Sequence, residues 1–237
     1  MAADGVDAPQ LVALRVWLPD RPGVLGQVAS RIGAVRGDVV GIEILERDDG
    51  PRGEGIVVDE LVVELPADIP WDLLLREVAQ VDGVTIEDLR AMAAVPDPRV
   101  DALESAHALL AAPSVGDTVE ALVEQVARCF EPEWVAVVGD DGDRVWASHG
   151  SPPSPAWILS FARGARASLQ VSAGLAGPDH LVAASFDRMA LSLALARSSR
   201  PFHVSERRQA AMLVRIADVR AHELATRLSL LAHPSAR

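Results

Sequence analysis

The chain of 237 residues contains no lysine, no asparagine and no tyrosine, and it has a single cysteine. All 22 basic residues are therefore arginine. Cys129 has no internal disulfide partner, which excludes a disulfide-stapled scaffold and fits a reducing cytoplasm. It falls within the apolar-periodic run Val119, Leu122, Val123 and Val126, which predicts a buried, inert thiol. No apolar run reaches the length of a membrane span. The opening Met-Ala-Ala-Asp-Gly-Val-Asp lacks a basic start and an apolar centre, so no secretory signal is predicted. Basic clusters are scarce as well. The net charge is −12, and residues 1–95 carry −10 of it. Phosphate binding needs basic clusters, so nucleic acid is not expected as the main partner of that half. His107, His149, His180, His203, His222 and His233 are scattered without a zinc pair. The serines show no nucleophile-elbow spacing. The expectation is no metal, no cofactor and no catalytic group.

What is present begins with a junction. From Leu11 to Pro19 the residues alternate, with Val12, Leu14, Val16 and Leu18 on one face and Arg15 and Trp17 on the other. From Val24 the period changes: Val24, Leu25, Val28, Ala29, Ile32 and Val35 recur at helical spacing. Between the two runs stand Asp20, Arg21, Pro22 and Gly23. A turn therefore feeds a helix N-terminus, whose free N–H groups and positive dipole end suit a small anion. Gly23 permits close backbone approach.

The rest of the first half reads as a strand at 39–47, a strand at 55–65, a helix at 71–80 and a strand at 84–93. Val40, Ile42 and Ile44 alternate against Glu43 in the second strand. Val57, Leu61, Val63 and Leu65 mark the third. Asp48–Glu54 joins these two as a polar hairpin. Its glycines, Gly50, Gly53 and Gly55, lack a lysine and a following helix, so they do not make a phosphate loop. The βαββαβ order is the split, ferredoxin-like unit. Pro96-Asp97-Pro98 then breaks the pattern.

The second half reads as helices at 99–111 and 118–130, the latter with Asp117 as N-cap, then strands at Trp134–Val138 and Arg144–Ser148. Asp140, Asp141 and Asp143 mark a turn between those strands rather than a calcium loop, since the remaining ligands are missing. A short helix is expected near 156–163, and strands near 167–172 and 189–197. Residues 180–186 are ambiguous, and His180 there is the histidine best placed to line a pocket. A helix from Glu206 to Leu231, capped by Ser205, carries Met212, Leu213, Ile216, Val219, Leu224, Leu228 and Leu231 as an apolar stripe. Residues 197–237 carry a local charge of +5, which suits a solvated helix face, an anionic partner or the acidic first half.

The segment 11–93 resembles an ACT domain, on its βαββαβ order, the Asp20-Arg21-Pro22-Gly23-Val24-Leu25 junction and the small, aliphatic helix behind it. The resemblance implies an α+β fold and a small-molecule effector, an amino acid or related metabolite, bound at the loop after the first strand. That site often spans a homodimer. It implies ligand-binding roles for Asp20, Arg21, Pro22, Gly23, Val24 and Leu25 in the loop. It implies the same for Asp38, Val39, Val40, Gly41 and Ile42 at the start of the second strand. Many relatives place an asparagine at one of these sites. This chain has none, and Asp20 or Asp38 is left to receive an ammonium group. The second half is similar in architecture to a GAF-type domain, a sensory or dimerising module with a long terminal helix. The expected organisation is an ACT-like domain at 9–94, a linker at 95–100 and a GAF-like domain at 101–233. The expected function is a non-catalytic, cytoplasmic regulator. A ligand-free dimerisation module and an enzyme with dispersed site residues are the alternatives. An exposed Trp17 would mark an intermolecular contact; cover by the second half is the competing account.

Overall fold

A computed structural model describes residues 8–48 and 55–232. The predicted hairpin tip with Gly50 and Gly53, the first seven residues and His233 lie outside the described residues, as does the side chain of Leu231. The chain divides into two compact units, Met1–Asp97 and Pro98–Arg237.

The first unit runs β1 (Gln10–Pro19), α1 (Val24–Ala34), β2 (Asp38–Asp48), β3 (Ile56–Leu65), α2 (Trp71–Val78) and β4 (Thr85–Ala91). Its sheet has the order β2-β3-β1-β4, with every neighbouring pair antiparallel. This is the split βαβ arrangement. The connection from β1 to β2 must cross β3, so α1 lies on the face above β3. Val12, Leu14, Val16 and Leu18 fill that face with Val24, Val28 and Ile32 of α1 and Leu74 and Val78 of α2.

The edge strand β2 departs from simple alternation. Bulges between Val39 and Gly41 and between Ile44 and Glu46 shift its register twice. Leu45 is buried as a result, while Ile42 and Ile44 are 53% and 52% exposed. Val40 is exposed as well. The apolar alternation read from the sequence thus marks a solvent-facing stripe.

The second unit contains α3 (Pro98–Ala111), α4 (Val115–Phe130), β5 (Trp134–Gly139), β6 (Val145–Gly150), α5 (Pro155–Arg166), α6 (Leu169–Ser172), β7 (Leu181–Ser185), β8 (Leu191–Ala196) and α7 (Val204–Ala232). Residues 98–100, expected as linker, already belong to α3. The sheet order is β6-β5-β8-β7, again antiparallel throughout. Val135, Val137, Leu193 and Leu195 face α4 and α7. Ala136, Val138 and Ala194 face Ile158 and Leu159 of α5. The sheet is covered on both sides, which accounts for the unbroken apolar run of β5.

Three local expectations change here. Residues 169–172 form a helical turn, not a strand: the Ser168 hydroxyl accepts the Val171 N–H and caps it. Ser114, not Asp117, caps α4, accepting the Asp117 N–H at 3.2 Å. Glu206, not Ser205, secures the start of α7. Its Oε2 accepts the His203 N–H at 2.9 Å, while the Ser205 hydroxyl is buried without a partner. Along α7 the buried apolar positions are Ala210, Leu213, Val214, Ala217, Ala221 and Leu224, whereas Met212, Val219 and Leu228 are exposed. Alanines let the helix pack closely on one side, so the larger residues are left on the other.

Arg197 pins the loop before α7. It is 1% exposed and donates to the carbonyls of Phe130, Arg200 and Pro201 at 2.8–3.0 Å. Its Nη2 lies 2.7 Å from Glu206 Oε1, and the guanidinium covers the Phe202 ring at 3.9 Å. Arg197→Ala removes these donors and leaves buried Glu206 without its compensating arginine, which is expected to cost about 3–5 kcal/mol. Urea denaturation of the variant tests this; a loss below about 1 kcal/mol would show that the loop holds without the pin.

Candidate functional site

The turn after β1 takes its shape from Gly23, which sits in the left-handed region at φ 92°. No atom lies within 4 Å of where its Cβ would stand, so the torsion alone requires glycine. Asp20 N–H is fixed to the Gly55 carbonyl at 2.8 Å. Gly23 caps α1 without a side-chain hydrogen bond, and the first turn carries no acidic residue. The Val24 N–H reaches back to the Arg21 carbonyl at 3.5 Å, which leaves the Leu25 and Gly26 amides as the donors of that turn open to an anion. At this end of the sheet is an open groove of 840 Å³ whose lining includes Trp17, Pro19, Asp20, Arg21, Ile56 and Thr85. By register Trp17, Ile56 and Thr85 face away from α1, and Asp20 and Arg21 are the turn residues that border the groove.

The strand register separates the residues singled out in the sequence into two groups. Pro19 pairs with Ile56, whereas Asp38 pairs with Glu64. Both β1 and β2 are antiparallel to β3 and hence run in the same direction. The start of β2 and the end of β1 therefore lie at opposite ends of the sheet, about 27 Å apart by strand rise. Asp20, Arg21, Pro22, Gly23, Val24 and Leu25 form one group, and Asp38, Val39, Val40, Gly41 and Ile42 the other. Within one chain Asp38 does not approach the loop, so it is not a second aspartate beside Asp20.

The structure brings a different aspartate to that end. In β3, Val57, Asp59, Leu61 and Val63 share the face toward the helices. Asp59 pairs with Val16 on one side and Ile44 on the other. It is 3% exposed, and its Oδ1 is buried with no hydrogen-bond partner. Arg47 pairs with Val57 and so shares that face; its Nε lies 3.0 Å from Asp20 Oδ2. Burial raises the Asp59 pKa above its ordinary 3.8; the nearby Arg47 charge pulls it down and Asp20 pushes it up. The sequence carried a signal for this residue, a carboxylate interrupting the apolar row Val57–Leu61–Val63–Leu65.

The other face of the same sheet holds a paired network. Arg15, 1% exposed, donates to Glu60 Oε2 at 2.8 and 3.0 Å, and Arg90 donates to both Glu60 oxygens at 2.9 and 3.0 Å. Trp17 Nε1 donates to Glu87 at 2.8 Å. Trp17 is thus half-buried with its polar atom engaged. Glu60 is desolvated, which alone would raise its pKa, yet the hydrogen bonds and charges of Arg90 and Arg15 lower it to about 2.

Asp141 Oδ1 accepts the Asp143 N–H in a tight turn with Gly142 at φ 74°. Burial raises the Cys129 thiol pKa, which opposes nucleophilic reactivity. His180 is exposed. Among the described residues no helix is long and apolar enough to cross a membrane.

No family model matches the sequence, and no curated protein matches it. Among solved structures, the ACT domain from GTP pyrophosphokinase of Chlorobium tepidum is similar at 18% identity and a TM-score of 0.27, over 36% of this chain and 100% of that one. An unknown protein from Galdieria sulphuraria is similar at 14% identity and a TM-score of 0.30, over 79% of this chain and 80% of that one. Scores this low carry no argument about function. The split βαβ assignment rests on the strand order and register.

The two neighbouring carboxylates have opposite pH signatures. Asp59 holds its proton more tightly in the folded state, so its contribution is most favourable below pH 3.8 and is lost as pH rises through its raised pKa. Asp59→Val is expected to stabilise the protein by about 1–3 kcal/mol at neutral pH, with the gain shrinking in acid. Glu60 has the reverse sign. Its contribution, on the order of 3 kcal/mol, is present above pH 4.5 and lost as pH falls toward about 2. Denaturant titrations across this range check both: Glu60→Gln should flatten the acid limb of the stability profile, and Asp59→Val the limb above it.

Proposed function

We propose that the protein is a non-catalytic regulator that binds an amino acid or related metabolite at the start of α1. One observation carries this reading: a helix N-terminus without a side-chain cap, shaped by left-handed Gly23, follows directly on Asp20 and Arg21, which border a groove of 840 Å³. The resemblance of Asp20–Leu25 to an ACT effector loop supports the same ligand class. In this mechanism the ligand carboxylate takes the amide donors behind Gly23, and binding shifts a conformational or assembly equilibrium. The Asp38–Ile42 group joins the pocket only if a second copy supplies it, because the two groups are at opposite ends of one sheet. The effector site is therefore proposed to form across a homodimer. The second unit, with both sheet faces helix-covered and a 29-residue terminal helix, is proposed as a GAF-like sensory or dimerising module. The cytoplasm is the proposed compartment, on the single free cysteine.

A second reading has its own observation. Val40, Ile42, Ile44 and Ile56 are exposed on or beside the edge strand β2, which suits a dimerisation module with no ligand.

Thermal-shift measurements with the twenty amino acids, combined with sedimentation velocity, separate the two readings. An effector protein should gain several degrees in Tm with at least one amino acid in excess and should sediment as a dimer when it is bound. A dimer that no amino acid stabilises, even well above millimolar concentration, favours the interaction module and rejects the regulator.

A further inference from the structure

The buried carboxylate of Asp59 is the least explained group in the first unit. Four observations bear on it. It occupies a core position of β3, in a row otherwise filled by Val57, Leu61, Val63 and Leu65. Its Oδ1 is buried and accepts no hydrogen bond. The cationic side chain on the same face, Arg47, directs its Nε to Asp20 rather than to Asp59. Lastly, Asp59 is three residues in from Ile56, which pairs with Pro19, and it feels the charge of Asp20, so it lies toward the end of the sheet where the turn before α1 begins. An uncapped set of amide donors and an unpaired buried carboxylate thus lie at one end of one face.

These two features select opposite charges. The helix start takes an anion. Of Asp20, Arg47 and Asp59, the first two pair with each other, and Asp59 is the member whose buried Oδ1 has no hydrogen-bond partner. A buried carboxylate in this position is stabilised by a cation that also donates hydrogen bonds. A primary ammonium does both, whereas a hydroxyl or a methyl group does not. The two charged ends of a zwitterion thus have partners that do not include Asp38, and the Asp38–Ile42 group of a second copy is left to wall the site rather than to bind the ammonium.

We infer that Asp59 is the ammonium anchor of the effector site and the residue that makes it selective for an α-amino acid over the corresponding simple carboxylic acid. This rests on the proposed ligand site at the start of α1 and names its specificity determinant. Arg47 flanks the carboxyl from the edge strand and is half-exposed on its outer side. The ligand ammonium reaches Asp59 when Arg47 swings outward, and Asp20, released from Arg47, adds a second acceptor. The exchange leaves the net charge beside the two aspartates unchanged, since one cation replaces another, and what it adds is a hydrogen-bond donor for the unpartnered Asp59 Oδ1.

The test uses the full chain as wild type, Asp59→Asn and Asp59→Val. Its probes are matched pairs with and without the amine: alanine and propionate, leucine and isocaproate, phenylalanine and phenylpropionate. Affinities come from calorimetry and stability from thermal melts. The inference predicts that wild type prefers the amino acid of a pair, and that Asp59→Asn weakens that amino acid by roughly thirty-fold, the value of a charged hydrogen bond of about 2 kcal/mol. The deaminated partner should bind both proteins alike. Asp59→Val should melt at or above the wild-type temperature and lose the preference for the amine, which a merely structural aspartate would not do. Unchanged amino-acid affinity in Asp59→Asn, or a wild type that binds the deaminated acid equally well, overturns the anchor while leaving the ligand site standing. A wild type that binds neither member of any pair overturns the ligand site and the anchor with it.

Discussion

The first unit depends on one constraint: β3 lies between β1 and β2 and is hydrogen-bonded to both along nearly its whole length. Both connections out of β1 and β3 must then cross a neighbouring strand, and they carry α1 and α2 onto one face. That face becomes the core. The turn at Asp20–Gly23 lies at one end of the sheet because β1 ends there. The start of β2 lies at the other end because β2 runs parallel to β1. Every statement about which residues can meet a ligand together follows from these directions. The left-handed torsion at Gly23 is the local counterpart of the same constraint, since the chain must turn sharply to bring α1 back over β3.

Much of this architecture was readable in the chain. The change of period from two to about 3.6 across Pro19–Val24 located β1 and α1 closely, because strand and helix alternation differ most clearly in such runs. The βαββαβ order followed from element types alone. Other features depended on packing that no local window contains. Val40, Ile42 and Ile44 alternate as a core face would, but two bulges and an edge position leave them in solvent. The short run Leu169–Val171 has no period long enough to separate helix from strand, and a Ser168 cap decided it. In α7 the stripe chosen by size holds at Leu213, Ile216 and Leu224 but not at Met212, Val219 and Leu228, because Ala210, Ala217 and Ala221 take the closest positions on the packed side.

The candidate site was legible in half. Asp20–Leu25 announced a turn and a helix start, and the structure has both. Asp38–Ile42 were joined to them only through a resemblance, and one chain does not bring the two groups together. Asp59 went unremarked because a row of Val57, Leu61, Val63 and Leu65 reads as a strand whether or not one member is charged. Its meaning required knowing that this row faces the helices, and that the cation nearest to it in the register is directed at Asp20.

Asp59 and Glu60 sharpen the point, since they are consecutive residues with opposite electrostatic fates. The pleat of β3 sends them to opposite faces of the sheet. Glu60 meets two guanidiniums, and their hydrogen bonds overcome its desolvation and hold its pKa near 2. Asp59 meets an apolar face and a single arginine already engaged elsewhere, and desolvation wins. A paired buried ion can be accounted for by folding, because its partners offset most of the cost of removing it from water. An unpaired one cannot: an apolar residue at Asp59 would complete the row and leave the fold more stable. Local rules that a sequence otherwise obeys tend to fail where function requires it. In this unit the failure falls in the half of β3 nearer the turn at Asp20, on the face that α1 covers.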